Sequence, residues 1–144
     1  MGEKVIKDLL NKIIEKLHAA TGLTTIAWHY GEPIKWIRPD MGEGYVSLAP
    51  LEQQTVEPLM RGDRHNMVIT VGLAYQNIDE KVCDQWIHDK VELVWAVLKA
   101  NENWDGLVSE SHLSAYFFVP GQLANYTFDK LVSVLSVRKE VYPS

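Results

Sequence analysis

The stretch MVITVGLAYQNIDEKVCDQWIHDKVELVWAVLKA, residues 67–100, decides the fold class. In its first part Met67, Ile69, Val71, Leu73 and Tyr75 alternate with Val68, Thr70, Gly72, Ala74 and Gln76, the period of a strand. Asp79 then offers an N-cap side chain, and Glu80 places an anion in the first turn, where the helix dipole favours it. From there Val82, Cys83, Trp86, Ile87, Val91, Val94 and Leu98 fall at helical spacing, predicting a helix over Asp79–Ala100. Strand passes directly into helix, so the chain belongs to the α+β class.

Working outward, the N-terminal segment predicts a second amphipathic helix over Glu3–Ala20. Val5, Ile6, Leu9, Leu10, Ile13, Ile14 and Leu17 form its apolar stripe, and Gly22 is placed to end it in a left-handed conformation. Its polar side mixes acids with lysines, so a membrane-surface helix, which wants a basic face, is disfavoured. Thr25–Tyr30 reads as a short strand closed by Gly31 and Pro33. Ile34, Trp36 and Ile37 form an apolar patch, and the run Asp40–Gly44 a turn before a strand over Tyr45–Ala49. Leu51–Asn66 shows no apolar period and contains Pro58, Gly62 and the charged run Arg61–His65. It is expected to be a long irregular connection, mobile in an isolated subunit and ordered on assembly. Beyond the central helix, Trp104–Glu110 suggests a turn or half-helix, Leu113–Val119 a strand, Pro120-Gly121 a second connection, and Lys130–Arg138 a last strand. That last strand is apolar on both sides, which calls for burial on both faces or for cover by another subunit. The fold expected is one domain, 1–144: a mainly antiparallel sheet with two long helices packed on it.

Composition narrows the function. With 47% hydrophobic residues and five tryptophans, a disordered chain is excluded. A net charge of -5 argues against a surface that grips phosphates, though not against one that nucleic acid merely passes. The single cysteine, Cys83, cannot form an intrachain disulfide, and no apolar run spans a bilayer, which reads as a soluble intracellular protein. The five histidines, His18, His29, His65, His88 and His112, lack zinc spacing, so no metal and no cofactor is expected. Cys83 sits on the apolar side of its helix, where it acts as a small hydrophobe. Ser109, Ser111 and Ser114 lack a nucleophile elbow. No acid, base and nucleophile stand at a recognisable spacing, so a non-enzymatic protein is expected. Trp86 and Trp95 lie half a turn apart around their helix, one expected to meet the sheet and the other free for a neighbour.

The order of these elements resembles that of the tail terminator proteins of long-tailed bacteriophages and the related tail-completion proteins. The resemblance runs from the helix Glu3–Ala20 through the strands Tyr45–Ala49 and Met67–Tyr75 and the acidic-capped helix Asp79–Ala100. It continues through Leu113–Val119 to a final strand over Tyr126–Arg138, and the junction Ile78–Ile87 shares the family's texture. It implies a virion protein, assembled in the host cytoplasm, that forms a hexameric ring in the tail and neck. The ring would cap the tail tube, end its polymerisation and join it to the head-tail connector or completion protein, while DNA passes through. Partners would be further copies of itself, the tail tube protein and the connector, with no membrane. Arg61, Asp63 and Arg64 are the candidate contacts with a neighbouring subunit or the tube. The longer Thr24–Gly44 region departs from the family's pattern. A reading from another class fits the same residues: a small non-catalytic adaptor or binding domain, working as a monomer or dimer.

Overall fold

The computed structural model describes residues 3–30, 42–123 and 126–142. Two helices and six strands follow in the order α1 (Glu3–Ala19), β1 (Ala27–Tyr30), β2 (Glu43–Leu48), β3 (Thr55–Leu59), β4 (Gly62–Asn77), α2 (Glu80–Ala100), β5 (Glu110–Leu123) and β6 (Tyr126–Val141). The strands form one mixed sheet in the order β1-β2-β4-β6-β5, with β3 also paired to β4. Every pairing is antiparallel except β1 with β2. The chain is α+β with a mostly antiparallel sheet; the parallel edge pair was not legible in the sequence. The expected Ile34–Ile37 patch and the Asp40–Met41 part of the turn lie outside the described residues, and Gly44 is already inside β2.

One face of the sheet carries the core. Met67, Ile69, Val71, Leu73 and Tyr75 of β4 join Leu131, Leu135 and Val137 of β6 in a single buried cluster. The same cluster takes Leu9, Leu10, Ile13 and Leu17 of α1 and Cys83, Ile87, Val91, Val94 and Leu98 of α2. α2 contacts β4, β5 and β6, while α1 contacts β1 and β2. Because side chains alternate along a strand, the even-numbered residues of β4 and β6 point to the opposite face. Val68, Thr70, Val134 and Ser136 there are only partly buried.

Local signals explain the helix ends. The Asp79 side chain accepts the Lys81 N–H at 2.9 Å, capping α2. Gly22 does adopt a positive φ of 88°, but three residues beyond the end of α1, in the turns that lead to β1. Val82, placed on the apolar stripe by spacing, is 41% exposed, because the stripe narrows at the first turn of α2. Cys83 is fully buried.

Three expectations need correcting. Leu51–Asn66 is not an irregular connection: after a single 3-10 turn at Leu51–Gln53 it forms β3 and the first third of β4, paired from Thr55↔Asn66 to Leu59↔Gly62. Apolar alternation failed as a guide because β3 is almost wholly exposed, and Pro58 is tolerated because β3 is an edge strand. Trp104–Glu110 takes the turn of the two expected alternatives: Trp104, Asp105 and Gly106 have left-handed φ values of 49°, 59° and 88° while Trp104 is fully buried. Pro120-Gly121 belongs to β5, and β6 starts at Tyr126, so the final hairpin is much longer than expected. Lastly, β6 is no edge: β4 pairs along one side and β5 along the other. Its two-sided apolar pattern therefore does not call for a partner strand from another subunit. The sheet's edges are β1, β3 and β5.

The two tryptophans of α2 correct a further expectation, since both meet the sheet. Trp86 stacks on Tyr75 of β4 with ring centroids 4.6 Å apart. Trp95 donates its indole N–H to Ser133 of β6 at 2.9 Å and lies against Tyr116 of β5, centroids 4.9 Å apart. A long side chain on either flank of a helix reaches a sheet broad enough to run beneath both. Among the described residues no helix is long and apolar enough to cross a membrane.

Candidate assembly surfaces

The β3–β4 hairpin is an arm beyond the helix-covered core. It exists because β4 is 16 residues long and changes partners midway, pairing with β3 as far as Asn66 and with β2 from Ile69. At the change the Val68 backbone would lose a strand partner. The amide of Gln54 takes that place: Val68 N–H donates to Gln54 Oε1 at 2.9 Å, and Gln54 Nε2 donates to the carbonyls of Val68 and Ala49, both at 3.1 Å. One side chain thus stands in for a peptide group and fixes where the arm begins.

The three candidate contact residues all lie on this arm. Arg61 is in the turn at its tip, exposed, beside a fully exposed Met60. Asp63, also exposed, opens β4 opposite Pro58 and Val141. Arg64 is held: its guanidinium reaches Glu57 at 3.4 Å and Glu140 at 3.2 Å, bridging β3, β4 and β6. Tyr142 donates its hydroxyl to the other Glu140 oxygen at 2.7 Å. That bond, and then the Arg64 contact, hold the Glu140 carboxyl below the usual glutamate range, while the same carboxylate pushes the Tyr142 phenol up. Nearby, Arg138 pairs with Glu110 at 2.8 Å, and both residues border a hollow of about 340 Å³ with Asn66, Val68, His112 and Ser136. Charges at this end of the sheet largely neutralise one another.

A second surface lies across the sheet. Tyr116, Phe117 and Phe118 of the edge strand β5 are 60%, 51% and 42% exposed. Alternation sends Tyr116 and Phe118 to the helix side, where they line a groove of about 270 Å³ with Val91, Glu92 and Trp95 of α2 and Leu131 of β6. His88 stands at the same groove. The sequence held a signal for this surface that spacing arguments passed over: three consecutive aromatics in a strand cannot all face one side, so at least one must leave the core.

The remaining chemical candidates are spread apart. Among the described residues no group of three or more His, Cys, Asp or Glu side chains comes together as a metal site. Ser111 accepts the Trp104 indole N–H at 3.0 Å, and Ser114 and Ser136 hydrogen-bond each other. His29 meets the buried Glu43 carboxylate at 2.7 Å, which ties edge strand β1 to β2.

No protein-family model and no curated protein matches this chain. Solved structures do share its fold. A chain of the virion of a native gene transfer agent particle superposes with a TM-score of 0.58 at 15% identity, covering 95% of this chain and 99% of that one. A second solved chain superposes with a TM-score of 0.52 at 14% identity, covering 100% of this chain and 99% of the other. At these identities the likeness shows the fold alone.

Proposed function

We propose that this chain is a non-enzymatic structural protein of a phage-like virion. In this reading it forms a ring, most simply a hexamer, at the head-proximal end of the tail tube. There it ends tube polymerisation and joins the tube to the connector while DNA passes through. The observation that carries the proposal is the match to a chain of a gene transfer agent virion, which covers 95% of this chain and 99% of that one. The element order reads the same way, as that of tail terminator proteins.

The net charge is compatible with such a role. With a net charge of -5, a lumen that shared the chain's acidic balance would offer DNA phosphates few partners. The two helices, packed on one sheet face, would form the outer wall, leaving strands to contribute to the ring. Arg61, Asp63 and Arg64 remain the candidate contacts to a neighbour or to the tube.

Light scattering on the purified chain, with and without tail tube protein, tests the reading. A ring-sized particle that caps tube ends and limits tube length is the expected result. A strictly monomeric particle in both conditions, with no binding to tube ends, would instead favour the adaptor domain.

A further inference from the structure

Resting on the ring reading above, we propose that neighbouring subunits are joined by the tip of the β3–β4 arm: Met60 of one copy enters the aromatic groove of the next, and Arg61 pairs with Glu92 on its rim. Both halves of the contact are on this chain. Met60 is fully exposed at a two-residue turn, the most exposed large apolar side chain among the described residues. The groove walled by Val91, Trp95, Tyr116, Phe118 and Leu131 is open and mostly apolar. A flexible thioether suits such a site, since sulfur makes favourable contacts with aromatic rings and its unbranched stem fits irregular gaps.

Charge complementarity fixes the occupant. Among the described residues Arg61 has no ion-pair partner, in contrast to Arg64 and Arg138, which are both paired. Glu92, exposed at the groove, likewise has none. An unpaired cation next to the apolar knob meets an unpaired anion next to the apolar hole. An unrelated apolar partner would have no reason to match both features.

Position keeps the knob out of its own groove. Tyr116 and Phe118 are level with Val71 and Leu73 of β4 through Ser133 and Leu131, whereas the arm's tip is at Gly62. At the rise of a strand, that is about 30 Å along the sheet. The arm also leaves by the β3 edge, and the groove lies at the β5 edge. In a ring one neighbour receives the knob and another supplies it, a head-to-tail contact that closes when the rotation permits, whereas a reciprocal exchange between two copies would stop at a dimer. Exposed edge strand β5 gains cover in the process.

The test compares the wild-type chain with Met60→Asp, Arg61→Glu, Glu92→Arg and the double variant R61E/E92R by light scattering across a concentration series. All three positions are exposed, so the variants are expected to retain the fold, checked by circular dichroism. Expected are an assembled wild type, self-association weakened by roughly thirtyfold or more in Met60→Asp, the scale of a hot-spot contact, and recovery in the double variant relative to either charge reversal. In parallel, oxidation of a Met60→Cys, Tyr116→Cys chain should give a covalent ladder up to the ring number, while each single variant stops at dimers. A ring that forms equally well with Met60→Asp, and without a ladder, overturns this contact and leaves the ring reading standing. A wild-type chain that stays monomeric under all conditions overturns both. A groove that binds tube protein while Met60→Asp rings form normally assigns it a different occupant and overturns the contact alone.

Discussion

The ring of Tyr45 in β2 occupies the space beside the bare backbone of Gly72, its register partner in β4. A Cβ at position 72 would overlap the Tyr45 ring. The neighbouring pair repeats the device on the other face, with Trp28 of β1 over Gly44 of β2. Glycine within a strand ordinarily weakens it, and here the lost side chain is replaced by an aromatic from the adjacent strand.

Gly72→Ala is therefore expected to destabilise the protein, although alanine is intrinsically better suited to a strand. The ring must move off the sheet, and overpacking of this kind costs about 1–3 kcal/mol. Urea unfolding with tyrosine and tryptophan fluorescence measures it. An unchanged midpoint would mean that the ring shifts freely.

Gln54→Ala removes the side chain that satisfies the Val68 backbone where β4 changes partners. The Val68 N–H then loses its acceptor, at a cost of about 1–3 kcal/mol if the site stays dry. Amide exchange at Val68 is expected to accelerate well beyond that at Ile69. Equal rates in variant and wild type would show that the ladder does not depend on Gln54.

Leu10→Asp places a carboxylate in the stripe of α1, at a position only 3% exposed. The loss should exceed the about 2–5 kcal/mol of a Leu→Ala truncation, because a charge is buried as well as a cavity made. Unfolding or aggregation on expression is the expected outcome. A soluble variant with the wild-type melting temperature would contradict the burial of this helix face.

Asp105 links the loop after α2 to α1 through Lys16 at 3.2 Å and Lys12 at 3.6 Å. The hydrogen bond from Lys16, with the charges of both lysines, holds its carboxyl below the ordinary aspartate range. A depressed folded-state value contributes stability that is present above the unfolded pKa and is lost as pH falls through the folded one. Asp105→Asn keeps the left-handed backbone that Asn tolerates while removing the charge. It is expected to lower the melting temperature slightly at neutral pH and to leave it unchanged in acid below the folded-state value. Because the carboxylate is exposed, the difference should shrink in high salt. A difference independent of pH would locate the effect elsewhere.

Two of these features are legible in the residues alone. The stripe of α1 and the Asp79 cap of α2 are local facts, set by spacing and by a side chain two residues from its partner. The arm and the groove were not accessible in that way. β3 buries almost nothing, so it leaves no apolar period, and its strand character comes from the ladder with β4. The groove gathers residues 91, 95, 116, 118 and 131 from three elements, which only the register of β5 on β6 brings level.

Local chemistry thus determined the helices, the central strand and the α+β class, because periodicity and capping act within a few residues and need no partner to be legible. The tertiary structure alone decided the sheet order, the interior place of β6, the arm that β4 shares with β3 and the aromatic surface on β5. Those depend on which strand pairs with which, and pairing is settled by contacts between residues distant in the chain, where a single sequence carries no distance information.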